Sequence, residues 1–191
     1  ETIVQLIAKS KRPKTIDKVI DAIFQIQGGY ALVMLTQNSL IGVRDPYGIR
    51  PLVIGKLGSS YVLASETCAF DIIGAKFIRE VENGEIVLIE KNELKSIKPF
   101  PLKKVRPCVF EYIYFSRPDS LIGGKTAYEH RKNLGRELAK ESKIDADIVV
   151  PVPDSGNAAA MGFAQELKMN FEHGLIRNHY VGRTFIEPSQ K

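Results

Sequence analysis

The chain has 191 residues, 44% hydrophobic and 26% charged, with 27 basic against 22 acidic side chains and a formal charge of +5. This length and balance suit one large domain or one and a half small ones and are neither those of a disordered nor of a membrane-like chain; no apolar run approaches the ~18 residues that span a bilayer, and no cleavable leader pattern opens the sequence, so we expect a cytoplasmic protein without a membrane partner. Cys68 and Cys108 stand 40 positions apart with no CxxC, which argues against a disulfide framework or a self-contained zinc site, and scattered lysines without an RNA-binding aromatic signature leave small anions rather than nucleic acid as the expected partners.

Apolar residues at 3, 4, 6 and 7 predict a short opening helix, and Ile16, Val19, Ile20, Ile23 and Phe24 predict a second with Thr15 as N-cap, ended by Gly28 and Gly29. From Tyr30 the pattern changes to YALVMLT, LIGVRD, RPLVIGK and YVLASE, separated by turn residues, which reads as an antiparallel meander. A short helix over 67–73 follows, then KFIREV and EIVLIEK with Asn83-Gly84 as a hairpin-type turn between them. The first hundred residues therefore predict an α+β layer. Arg44, Asp45 and Arg50 bracket a Pro-Tyr-Gly turn and read as an ion pair with turn geometry rather than as catalytic groups. The stretch 98–107 holds three prolines and four basic residues and reads as a connection.

Beyond it, Thr126 and Glu129 form a T-x-x-E capping box ahead of Tyr128, Leu134, Leu138 and Ala139, which predicts a helix to about Ser142. ADIVVPVP, 146–153, is continuously apolar and suits a strand covered on both faces in a parallel α/β sheet. Pro151 and Pro153 remove ladder donors from one side of that strand. Asp154, Ser155, Gly156 and Asn157 then open a helix, where two readings stand: a helix cap by Asp154 or Ser155, or an anion site at the helix start. In the second, Gly156 allows close approach and the Ser155 hydroxyl serves a phosphate oxygen or a hydrated Mg²⁺. Small residues at 157–160 and Gly162 let that helix lie close on a sheet. Arg177, His179, Arg183 and Lys191, broken by Gly182 and Pro188, read as a basic lid or as a solvated loop. No GxxxxGK[ST] or GxGxxG occurs, so neither a P-loop nor a dinucleotide fold is predicted.

RDPYGIRPLVIG (44–55), FEYIYFSRPDS (110–120) and NHYVGRTFIEPSQ (178–190), in that order, resemble the amidophosphoribosyltransferase family from end to end of the chain. The resemblance implies α+β followed by α/β: the later part of an N-terminal-nucleophile (αββα) glutaminase domain over 1–100, a connection over 101–125, and the first part of a type I phosphoribosyltransferase domain over 126–191. It implies transfer of glutamine-derived ammonia to phosphoribosylpyrophosphate, giving phosphoribosylamine, glutamate and pyrophosphate in the first step of purine synthesis. Asp154, Ser155 and Gly156 match the family's pyrophosphate loop, with Ser155 at the position of a Mg²⁺ ligand.

Glutamine and phosphoribosylpyrophosphate are the implied substrates, purine nucleotides the implied inhibitors, and a homo-oligomer the implied assembly. The family's nucleophilic cysteine, its glutamine pocket and its acidic ribose-phosphate turn find no match within the 191 residues, so we expect an internal fragment that catalyses neither half-reaction and contributes no catalytic residue of its own. The contrasting reading is a non-catalytic nucleotide- or phosphate-binding module derived from the same fold.

Cys108 matches the first of four cysteine ligands to a [4Fe–4S] cluster in one branch of the family, while another branch keeps a cysteine there without a cluster. One thiolate does not hold a cluster that takes four, so a reduced buried thiol is expected here, and Cys68 is expected in the core. His130, His173 and His179 show no metal-ligand spacing. Tyr112, Tyr114 and Phe115 are expected to be interior at the junction of the domains, a region where the resemblance also implies the family's ammonia passage.

Overall fold

The computed structural model describes residues 1–101, 103–142 and 144–182 and divides into two compact units, Glu1–Val109 and Phe110–Lys191. The first unit opens with helices α1 (Thr2–Lys9) and α2 (Thr15–Ile23), followed by strands β1 (Ala31–Leu35), β2 (Ser39–Arg44), β3 (Val53–Leu57) and β4 (Ser60–Ala64). Helix α3 (Cys68–Ile73) and strands β5 (Lys76–Glu80), β6 (Ile86–Glu90) and β7 (Glu93–Ile97) complete it.

The strands form two antiparallel sheets, β1-β2-β6-β7 and β4-β3-β5. Their residue alternation explains the layering, because successive side chains of a strand point to opposite faces. Ile41, Val43, Ile86 and Leu88 face α2, where they close over Val19 and Ile23. Val87, between Ile86 and Leu88, points the other way and meets Leu52, Ile54 and Val81 in a second core between the sheets. On the outer face of the second sheet, Gly55 lies directly under the Phe70 ring of α3, so close that any Cβ would collide with it. The order is helix, sheet, sheet, helix.

Three sequence expectations change here. Thr15 is the first helical residue and Lys14 the N-cap, with no side-chain cap bond. The four runs from Tyr30 to Glu66 are not one meander, since β2 pairs with β1 and β6 whereas β3 pairs with β4 and β5. The Asn83-Gly84 turn therefore links strands of different sheets rather than closing a hairpin. Strand β7 is the seventh, unpredicted one; it pairs with β6 through the two left-handed residues Lys91 and Asn92.

Arg44 and Asp45 are buried, at 9% and 0% exposure, and order the loop between β2 and β3. Asp45 accepts the main-chain N–H groups of Tyr30, Tyr47 and Arg50. Arg44 donates to the carbonyls of Gly48, Arg50 and Val81 and pairs with Glu80 at 3.2 Å rather than with Asp45. The expected turn role holds, with a different ion-pair partner.

The second unit opens with a π-helical turn, Glu111–Phe115, and a two-residue hairpin, β8 (Leu121–Ile122) with β9 (Lys125–Thr126). Helix α4 (Ala127–Glu141), strand β10 (Ile148–Val149), helix α5 (Asn157–Leu167) and strand β11 (Asn170–Phe171) follow. The Thr126–Glu129 capping box is formed in both directions, as the sequence predicts. The buried face of α4 differs from the expected one. Leu134 and Leu138 are about half exposed, and the buried stripe is Ala127, Arg131, Gly135 and Ala139. Small residues on this stripe admit α5, whose Gly162 approaches the Lys132 carbonyl while Gly135 approaches Ala159. The small residues of α5 thus serve a helix–helix contact, where the sequence suggested helix on sheet.

Strand β10 is shorter and more open than expected: it pairs in parallel with β11, but Ile148 is 49% and Val152 71% exposed, so it is not covered on both faces. Among the described residues no helix is long and apolar enough to cross a membrane.

Candidate anion site at the start of α5

Strand β10 ends at Val149, and the chain passes through Pro151, Val152 and Pro153 into the exposed pair Asp154 and Ser155 before α5 begins. The Pro153–Asp154 peptide is cis. Gly156 is the N-cap, and no side chain caps this helix. The capping reading of Asp154 and Ser155 is thereby overturned: neither carboxylate nor hydroxyl is spent on the first turn.

The main chain occupies part of that turn. Gly156 N–H donates to the Val152 carbonyl at 3.1 Å, and Asn157 N–H donates to the Asp154 carbonyl at 3.3 Å. Among the described residues, the amides of Ser155, Ala158 and Ala159 donate to no protein acceptor. Unpaired amides at a helix start carry the positive end of the helix dipole and suit an anion. Gly156 packs so closely on the Val152 main chain that a Cβ would stand 2.6 Å from its carbonyl oxygen, which makes glycine a packing requirement of the loop.

Two further residues converge on this loop. Arg177 Nη1 lies 3.1 Å from Asp154 Oδ2, with both side chains about half exposed, so a cation stands beside the helix start. The sequence placed Arg177 in a basic stretch but not on Asp154. Asn157, read from sequence as part of the helix opening and as a small residue, has a buried Oδ1 with no hydrogen-bond partner among the described residues. No local pattern announces either feature. The rest of that basic stretch, Arg183, Pro188 and Lys191, lies outside the described residues, and His179 is exposed.

The donor set accommodates Mg²⁺ only in a particular way. Ser155 and Asp154 present exposed hard oxygens, which suit an ion that keeps most of its water and arrives with substrate phosphates. Among the described residues no group of three or more His, Cys, Asp or Glu is placed to hold a metal alone. An iron–sulfur cluster does not fit the described residues. Cys108 is half-buried rather than buried, with its N–H on the Ile49 carbonyl, and Cys68, the other thiol, is in the core as expected. Tyr114 and Phe115 are about half exposed, against the expected interior placement.

Residues 1–71 match the family model described as a glutamine amidotransferase domain. Over its full length the chain is 56% identical to an amidophosphoribosyltransferase of Rhizobium etli, of which it spans 40%. It superposes on two solved structures at 47% identity and a TM-score of 0.91, each alignment covering 98% of this chain. One is an allosteric regulatory enzyme of purine biosynthesis, of which the match covers 40%; the other is glutamine phosphoribosylpyrophosphate amidotransferase from B. subtilis complexed with ADP and GMP, covered to 41%.

Proposed function

We propose that this chain, homologous along its whole length to the amidophosphoribosyltransferases, is the part of such an enzyme that joins the glutamine-handling half to the phosphate-binding half. The helix–sheet–sheet–helix order of the first unit supports the N-terminal-nucleophile glutaminase reading, and the parallel β10–β11 pair followed by α5 supports the start of a phosphoribosyltransferase domain. The reaction divides accordingly: water releases ammonia and glutamate from glutamine, and ammonia attacks C1 of phosphoribosylpyrophosphate as the C1–O bond breaks and pyrophosphate departs.

The single observation that carries the reading at site level is the uncapped start of α5. We assign Asp154, Ser155 and Gly156 to the diphosphate. Amides there stabilise the negative charge that grows on the departing pyrophosphate, an electrostatic contribution that strengthens as the bond breaks. Ser155 and Asp154 are the residues that would hold Mg²⁺, which when bound supplies positive charge to the same oxygens. Arg177 exchanges Asp154 for a phosphate oxygen. Glutamine, phosphoribosylpyrophosphate and purine nucleotides are the proposed ligands of the whole enzyme, a homo-oligomer in the cytoplasm.

Calorimetry of this chain with pyrophosphate and Mg²⁺ tests the site. We expect saturable binding that Ser155→Ala weakens, and binding unchanged by that substitution would refute the assignment. Full-length protein that forms no phosphoribosylamine from glutamine and phosphoribosylpyrophosphate would refute the function.

A further inference from the structure

We propose that the cleft between α1 and α2 is a binding site for a free α-amino acid with an apolar side chain, a ligand distinct from the substrates proposed above. The cleft lies within the first unit and has a volume of about 380 Å³, at the small end of the roughly 300–1,000 Å³ of small-molecule sites. Leu6, Lys9 and Ser10 line one wall; Asp21, Phe24 and Gln25 line the other.

The turn from α1 to α2 sets the charges in place. Ser10 Oγ donates to Asp21 Oδ2 at 2.7 Å, and Arg12 Nε donates to the same oxygen at 3.3 Å. Among the described residues no donor occupies Asp21 Oδ1, and the Lys9 ammonium makes no ion pair. Gln25 gives its Nε2 to the Asp21 carbonyl at 3.0 Å, which leaves Oε1 as a second acceptor in the cleft. The last turn of α1 carries Lys9, whereas that of α2 carries no basic residue, so the negative end of the α2 dipole adds to the attraction for a cation.

This pairing selects the ligand. A simple anion would meet Asp21, and a simple cation would meet Lys9 and Arg12; a zwitterion satisfies both walls. Its carboxylate pairs with Lys9 and its ammonium with Asp21 Oδ1 and Gln25 Oε1. Leu6 and the Phe24 ring, 53% exposed, offer apolar surface to an aliphatic or aromatic side chain. Because α1 has no fully buried residue, a ligand that spans the cleft also fastens α1 to α2.

The test is calorimetry and hydrogen exchange on full-length protein with L-leucine and L-phenylalanine, beside L-leucinamide, which lacks the carboxylate, and isocaproate, which lacks the ammonium. We expect saturable binding of both amino acids, slower exchange of the α1 amides, and binding about fivefold weaker for either truncated probe, the worth of one half-exposed ion pair. Lys9→Met should weaken leucine by the same factor and leave leucinamide unchanged, while Asp21→Asn, which keeps an acceptor for Ser10, should weaken leucine and leave isocaproate unchanged. No saturable binding of either amino acid, truncated probes that bind as tightly as leucine, or leucine binding indifferent to Lys9→Met would each overturn the proposal. None of these outcomes bears on phosphoribosylamine formation, so the function proposed above stands or falls separately.

Discussion

Gly135 of α4 and Ala159 of α5 meet backbone to backbone: a Cβ on Gly135 would run into the Ala159 carbonyl, and a Cβ on Gly162 would run into the Lys132 carbonyl. The crossing fixes the direction of α5, and with it the direction in which the unpaired amides of its first turn point.

Gly135→Ala is therefore expected to destabilise the second unit by about 3 kcal/mol, the upper range for overpacking, because the obstacle is main chain rather than a flexible side chain. Thermal unfolding would register it as a clear fall in midpoint. Gly123→Ala, where a Cβ meets nothing but the backbone has φ near +57°, provides a control for glycine conformation alone. If both variants melt alike, the close helix approach does not limit stability.

Tyr30 poses a different problem. Its ring belongs to the core between α2 and the first sheet, yet its hydroxyl has no hydrogen-bond partner among the described residues. Burial, reinforced by the charge of Asp45, pushes its pKa up to about 12 from 10.0. The folded state thus favours the neutral phenol. The associated stability is fully present below pH 10 and is lost as pH rises toward 12. Tyr30→Phe should remove an orphaned polar group and leave stability in urea unchanged or raised by up to about 1 kcal/mol, with less unfolding above pH 10. A loss of more than that in urea would mean that the hydroxyl has a partner.

Glu85 titrates at the other end of the scale. Burial alone would push its carboxyl up, but hydrogen bonds from Arg79, Ser96 and the Glu82 N–H, with the Arg79 charge, hold it below the usual carboxylate range. The Arg79 contact is bidentate, at 2.7 and 2.8 Å. A depressed folded pKa means that this stability is present above the unfolded value and is lost as pH falls through the folded one. Glu85→Gln should cost about 2 to 3 kcal/mol at neutral pH, since a buried pair loses one partner while Arg79 keeps access to water. It should also flatten the acid limb of the stability curve. An unaltered acid limb, measured by urea unfolding at several pH values, would contradict the assignment.

What the sequence disclosed follows from the range of each interaction. Period-two alternation in SLIGVR and EIVLIEK located strands, and the Thr126–Glu129 box located α4, because the forces involved act within a few residues. Sheet membership was not legible, since the turn at 83–84 has the same local chemistry whether it closes a hairpin or crosses between sheets. Strand β7, with Glu93 and Lys95 on an edge, lacks an apolar run and gave no signal. The buried face of α4 misled for a physical reason: close helix crossing selects glycine and alanine, so the leucines point outward. At the candidate site, Asp154, Ser155 and Gly156 were visible as a junction, but the Arg177 contact spans 23 residues and emerges only from the fold.

That contact yields the last expectation. Both Arg177 and Asp154 are about half exposed, so their ion pair contributes no more than about 1 kcal/mol to stability, and Arg177→Met should barely shift the melting temperature. Binding should respond more strongly. If Arg177 transfers to a phosphate oxygen, its removal should weaken Mg²⁺–pyrophosphate binding by about 1 to 2 kcal/mol and flatten the dependence of affinity on salt, because one charge-assisted contact is lost. Asp154→Asn bears on the same exchange from the other side, releasing Arg177 at the cost of the carboxylate proposed to face Mg²⁺, so its effect should depend on Mg²⁺ concentration where that of Arg177→Met does not. Calorimetry at two ionic strengths and two Mg²⁺ concentrations separates these responses, and identical salt slopes for wild type and Arg177→Met would show that Arg177 stays on Asp154 when the anion binds.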